Sequence, residues 1–145
     1  MFVNPEDCEI KAVLEKSKKI AVVGLSGNPE KDSNQVARYL IEKGYVIIPV
    51  NPMEDEILGL KSYKNLSSVP DKIDIVNVFR RSEYLPEIVE EVLKVKPGCI
   101  WTQLGIVDGA SAEKAAGGGI AVIMDRCIKV EHRRLLGTAG SHEKK

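Results

Sequence analysis

The sequence predicts an α/β fold: a Rossmann-like, doubly wound parallel sheet of five strands in the order 3-2-1-4-5, with helices on both faces. Three observations carry that expectation. Short apolar, β-branched runs alternate with amphipathic stretches along the chain, as in successive βαβ units. The first run, Ile20-Ala21-Val22-Val23, enters a loop of small residues, Gly24-Leu25-Ser26-Gly27-Asn28, and then a helix. The 145 residues suit one domain with a real core and are too few for two.

Each element has its own signal. Asn4-Pro5 with Glu6 and Asp7 reads as a cap, a first-turn proline and acids at the positive end of a helix running to about Glu15. Ile20 to Val23 is the first strand. Asp32 is the expected cap of the next helix, with Gln35 as its reciprocal partner, and Gly44 ends that helix. Val46 to Val50 is the second strand. Asn51-Pro52 is a turn, Ile57-Leu58-Gly59 a short extended piece, and 65–70 a single helical turn. Ile73 to Phe79 is the third strand, and Ser82 caps a helix carrying Leu85, Ile88, Val89 and Val92 on one face. Cys99 to Gln103 is the fourth strand, Ala110 to Ala116 a short helix, and Ile120 to Met124 the fifth strand. Asp125 opens a last helix to about Leu136. The domain is expected to span 1–136, with a frayed tail over 137–145.

Bulk properties narrow the function. Apolar residues are 43% and charged residues 29%, with zero formal net charge. That balance argues against a dedicated nucleic-acid binder. No apolar run reaches the roughly 20 residues of a membrane span, and no signal peptide is visible. Cys8, Cys99 and Cys127 are odd in number and lack CxxC spacing, so a disulfide framework or zinc site is not expected, and a reducing cytoplasm fits. A homo-oligomer or an unknown protein partner is compatible with the sequence.

Ligands of such sheets bind outside the carboxyl ends of the strands, near the point where strand order reverses. Those loops hold the candidate residues. After strand one, Gly24 permits close backbone approach, and Ser26, Ser33 and Asn34 can donate to phosphate oxygens; Lys31 adds charge. After strand two, Asn51-Pro52 offers no acid of the kind that holds a nicotinamide dinucleotide's ribose. After strand three, Phe79 and Arg80 pair an aromatic face with a guanidinium. After strand four, Gln103 can bond a polar tail and Gly105 allows backbone approach; Trp101 belongs to the core. Each has a plainer reading: a tight turn at Gly24, a simple turn at Asn51, a core Phe79 beside surface arginines. No nucleophile–base–acid set has diagnostic spacing. Cys127 beside Arg126 is the thiol best placed for activation, and a structural thiol is the stronger reading. Asp125, Arg126, Glu131 and His132 are expected to tie the last helix to the sheet.

Together, Val23-Gly24-Leu25-Ser26 with Asn28-Pro29, Pro49-Val50-Asn51-Pro52, Ile57-Leu58-Gly59, Val78-Phe79-Arg80, Trp101-Thr102-Gln103-Leu104-Gly105-Ile106, and Met124-Asp125-Arg126-Cys127 with Glu131-His132 resemble the small stand-alone CoA-binding proteins. Those are single Rossmann-like domains similar to the CoA-binding domain of succinyl-CoA synthetase α subunits. The resemblance covers about 9–136. It implies coenzyme A, or an acyl-CoA, lying across the strand ends. The contacts it implies are Gly24, Leu25, Ser26, Lys31, Ser33, Asn34, Asn51, Pro52, Phe79, Arg80, Gln103 and Gly105. This chain lacks the ligase's second domain and phosphohistidine segment, so a binding or accessory role is expected rather than ligase activity. An NAD(P)-binding oxidoreductase domain and a CoA-dependent enzyme working with a partner are the alternatives.

Overall fold

The computed structural model describes residues 2–137; the predicted tail beyond Gly137, with His142, lies outside them. In chain order the elements are α1 (Asp7–Lys16), β1 (Lys19–Val23), α2 (Asp32–Glu42), β2 (Val46–Val50), β3 (Glu56–Ile57), β4 (Leu60–Lys61), β5 (Ile75–Val78), α3 (Leu85–Val95), β6 (Cys99–Thr102), α4 (Gly109–Gly117), β7 (Ala121–Ile123) and α5 (Ile128–His132). β3 and β4 form a small antiparallel hairpin at the expected extended piece. The other five strands make one parallel sheet.

The two faces follow the period-2 alternation of each strand. Ile20, Val22, Ile47, Ile75, Trp101 and Ile123 pack with Leu14 of α1, Leu40 of α2 and Ile128 of α5. Ala21, Val23, Ile48, Val76, Val78 and Ile100 pack with Val89 and Val92 of α3 and with Ala115 of α4. Burial on both faces is why the strands read as continuous apolar runs. No helix among the described residues is long and apolar enough to cross a membrane.

The strand order corrects the expectation. The sheet runs β2-β1-β5-β6-β7, which is 2-1-3-4-5 when its strands are counted along the chain, not 3-2-1-4-5. The third strand pairs with β1, with Ile75 opposite Ile20, instead of extending beyond β2. β2 is therefore an edge strand. Pro49 sits within it, and a proline has no N–H to offer a second neighbour. The outer edge is closed by Tyr63, whose N–H donates to Pro49 O at 3.0 Å and whose carbonyl accepts from Asn51 N at 2.9 Å. The chain then reverses direction across the sheet, so right-handed connections move to the opposite face. Leu66, in a 3₁₀ turn, accordingly packs with α3 and not with α2.

Several helix starts also differ. Asn4 caps nothing; its amide donates to Met124 O and accepts from Met124 N, both at 2.8 Å, extending the end of β7. Lys31, not Asp32, is the N-cap of α2, and Gln35 donates to Glu30 O. Ser82 lies in a 3₁₀ turn before α3 and accepts from Val107 N. Asp125 cannot open a helix, because it has a left-handed φ of 61°. α5 begins at Ile128 and continues as a π turn over Arg133–Gly137.

Candidate ligand-binding crevice

The corrected order moves the reversal point. It lies between β1 and β5, so the loops after those strands face each other directly. They meet at Gly24. Its φ is +88°, and a Cβ there would stand 2.8 Å from Phe79 O and 3.0 Å from the Arg80 side chain. Gly24 N–H donates to Val50 O at 2.9 Å, tying the loop to the end of β2 as well. Glycine is needed for both conformation and space.

Side chains buried beneath the loop hold it in shape. Ser33 is 7% exposed and its Oγ accepts from Ser26 N at 3.0 Å; Asn34 is 1% exposed and donates to Ser26 O at 2.9 Å. Ser26 Oγ accepts from Asn28 N, and Asn28 Oδ1 from Glu30 N. Arg38, one helical turn beyond Asn34, donates to Asn34 Oδ1 and Pro29 O, both at 2.8 Å. These bonds leave the N–H groups of Leu25, Gly27, Asp32 and Ser33 without an acceptor among the described residues. Unpaired donors gathered at one loop and helix start suit an anion. Leu25 is wholly buried, backbone included, which leaves Gly27, Asp32 and Ser33 as the donors a ligand can reach. Lys31 is exposed at the cap of α2.

Asn51 is placed at the crevice but is committed to structure. Its Nδ2 donates to Leu25 O at 2.9 Å and its Oδ1 accepts from Met53 N at 2.8 Å. It therefore links the first two loops. The turn it starts also brings the Glu54 carboxylate to 3.7 Å from where a Gly27 Cβ would lie.

Phe79 and Arg80 point to opposite sides of the reversal point. Phe79 lines a cavity of ≈ 340 Å³ with Val36, Gln103, Leu104, Ile106 and Cys127. Arg80 lines a second, of ≈ 330 Å³, with Pro52, Lys64 and Asn65. The Arg80 guanidinium lies 4.2 Å from the centre of the Tyr84 ring, a cation–π stack that holds the side chain. Gln103 is buried, with its amide oxygen bonded inside the protein. Gly105 has φ +82° and donates to Asp125 Oδ1 at 2.7 Å; the space around its Cβ position is open. Sequence reasoning passed over Tyr84, Arg38 and Lys64. Two of them had a signal: Tyr84 follows Arg80, and Arg38 follows Asn34, by four residues.

The C-terminal polar cluster divides into separate ties. Asp125 N–H donates to Thr102 Oγ1, Arg126 N–H to Thr102 O, and the Trp101 indole to Arg126 O, as expected for a link to the sheet. Glu131 instead joins Arg134, which also grips Asp7 of α1. His132 Nδ1 bonds Tyr39 OH at 2.8 Å, and its ring packs edge-on against Tyr39 and Tyr45. Burial, with Lys43 nearby, holds His132 below the ordinary imidazole pKa. Cys127 faces the Phe79 cavity, so Cys127, Glu131 and His132 do not converge on one point.

Fold and crevice define a doubly wound α/β domain with an open-donor loop at its strand reversal. The family described as CoA binding domain matches residues 18–133, and the chain belongs to that family. It is 48% identical over 129 residues to the uncharacterized protein YneT of Bacillus subtilis, covering 89% of this chain and 96% of that protein. A solved structure of a hypothetical protein from Pyrococcus horikoshii superposes with a TM-score of 0.89 and 37% identity, over 94% of this chain and 99% of that one. The chain is also 33% identical over 76 residues to the ADP-forming acetate–CoA ligase II of Archaeoglobus fulgidus. That match takes in 51% of this chain and 11% of the ligase.

Proposed function

We propose that this domain binds coenzyme A or an acyl-CoA across the carboxyl ends of β1, β5 and β6, as a binding module. The observation that carries the reading is the loop after β1. It is fixed by buried Ser33 and Asn34, pressed against the end of β5 at Gly24, and left with three open N–H donors, those of Gly27, Asp32 and Ser33. These fit a pyrophosphate without rearranging the backbone. On one side, where Glu87 and Glu91 also line the cavity, the Arg80 guanidinium suits a phosphate of the nucleotide end, and the cavity beside Phe79 suits the pantetheine arm. Pro52 and Gly105 form the crevice rims, and Lys31 adds a cation near the loop. The bound group would supply a thiol that carries acyl groups; the chain's own residues hold and orient it. Membership of the CoA-binding family supports this ligand over others of similar size. The commitment of the Asn51 side chain to Leu25 and Met53 removes that side chain as a ribose ligand of the dinucleotide type.

Isothermal titration of the purified chain with CoA, dephospho-CoA, NAD and NADP tests the proposal. Binding of CoA in preference to NAD and NADP is expected. Binding of NADP but not CoA would replace this reading with the oxidoreductase-type one.

A further inference from the structure

The cavity beside Phe79 has apolar walls from Val36, Leu104 and Ile106, and one buried amide is fixed against it. Gln103 is 7% exposed. Its Oε1 accepts from Asn77 Nδ2 at 3.1 Å and from Ile128 N at 3.0 Å. Asn77, fully buried in β5, is itself held by donating to Trp101 O at 3.2 Å. Turning the Gln103 amide over would set its NH₂ against two donors, so the network fixes which end faces outward. The Gln103 nitrogen has no acceptor among the described residues. Nor is it sealed in, for Asn77 Oδ1 is the only fully enclosed side-chain nitrogen or oxygen there without a partner. The nitrogen is thus an oriented, open donor at the strand end of a cavity whose other polar lining, Asp32, Gln35 and Lys129, comes from the flanking helices α2 and α5.

We infer that Gln103 Nε2 receives the thioester carbonyl of an acyl-CoA, and that the domain consequently prefers acyl-CoA to free CoA. The inference rests on the CoA reading above and adds to it the form of the ligand. A thiol is a poor acceptor and leaves the buried donor unmet, whereas a thioester oxygen satisfies it. The apolar walls then receive the acyl carbon atoms. Asn77 is a positioning residue: it acts through Gln103.

Titration of the full chain with acetyl-CoA, CoA and S-ethyl-CoA, at about pH 8, tests this. S-ethyl-CoA matches acetyl-CoA in size but lacks the carbonyl. Acetyl-CoA is expected to bind ~10-fold tighter than either of the others, as one buried hydrogen bond implies. In Gln103→Glu the oxygen that accepts from Asn77 and Ile128 is kept, while the donor is replaced by an acceptor. The acetyl-CoA to S-ethyl-CoA ratio should then collapse to about twofold or less, with circular dichroism confirming the fold. Equal affinities for all three ligands in the unmodified chain would overturn the inference and leave the CoA reading standing. That result would also follow if the donor met a pantetheine amide, which all three share. A ratio that survives Gln103→Glu would equally overturn it. Failure of every CoA compound to bind would instead remove the reading beneath it.

Discussion

A cavity opens at each end of the sheet, and the two are close in size: ≈ 340 Å³ beside Phe79 at the carboxyl end, ≈ 300 Å³ beside Asp74 and Cys99 at the amino end. Their chemistry differs. At the amino end the Asp74 carboxylate and carbonyl already serve the fold. Asp74 Oδ2 accepts from the N–H groups of Lys18 and Lys19, each at 2.9 Å, and Asp74 O accepts from Cys99 N. Burial pushes the Cys99 thiol up to about 12, which keeps it protonated and inert. At the carboxyl end three loop N–H groups and the Gln103 amide remain open. Cavity volume alone would rank the two ends together; open backbone and buried-amide donors, found at the carboxyl end, separate them.

The largest expected effect breaks the carboxyl end. Gly24→Val would force a Cβ against Phe79 O in a conformation that β-branched residues avoid. CoA affinity should fall by roughly 100-fold or more, with a stability loss of about 1–3 kcal/mol, measured by titration and thermal denaturation. Unchanged affinity would place the ligand elsewhere. Arg80→Ala should weaken CoA by roughly 10-fold or more through a lost charge-assisted contact; an effect under twofold would remove Arg80 from the site.

Asp74→Ala tests the other end. It leaves two N–H groups without their acceptor and should lower stability by about 1–2 kcal/mol, while CoA affinity stays as it was. A parallel loss of affinity would show the ends to be coupled. The same carboxylate predicts a pH dependence. Burial pushes the Asp74 carboxyl up, but the Lys19 and Lys18 N–H donors, with the nearby lysine charges, outweigh it and leave the pKa below its ordinary value. Its stabilising contribution is therefore complete above the unfolded value of roughly 4 and is lost as pH falls through the lower folded value. Acid denaturation of Asp74→Asn should be less steep over that window than that of the unmodified chain.

The smallest effect sharpens the comparison within the carboxyl end. Glu54 stands beside Gly27, where it repels an incoming anion. Glu54→Gln should raise CoA affinity by about two- to threefold at low salt, and the gain should shrink as salt rises. A loss of affinity would mean that Glu54 contacts the ligand favourably.

Much of the candidate site was legible in the chain. Gly24, Ser26, Ser33 and Asn34 do form one unit after β1, and Phe79, Arg80 and Gln103 do end the strands around it. Their commitments were not legible. The Asn51 side chain braces the first two loops, and its partner Leu25 O lies 26 residues away in sequence. Gln103 showed a polar end, but which of its atoms remains open depends on Asn77 and Ile128, each on a different element.

By itself, the sequence determined the elements, the two buried faces and the family. These depend on local periodicity, turn chemistry and motifs in order, all written within short windows. Strand order, the place of the reversal point and the direction of each buried amide were decided only by tertiary structure. Every strand here is apolar enough to pair with any other, so pairing turns on distant constraints. The one local clue, Pro49 in β2, becomes decisive only once Tyr63 is seen closing the edge beside it.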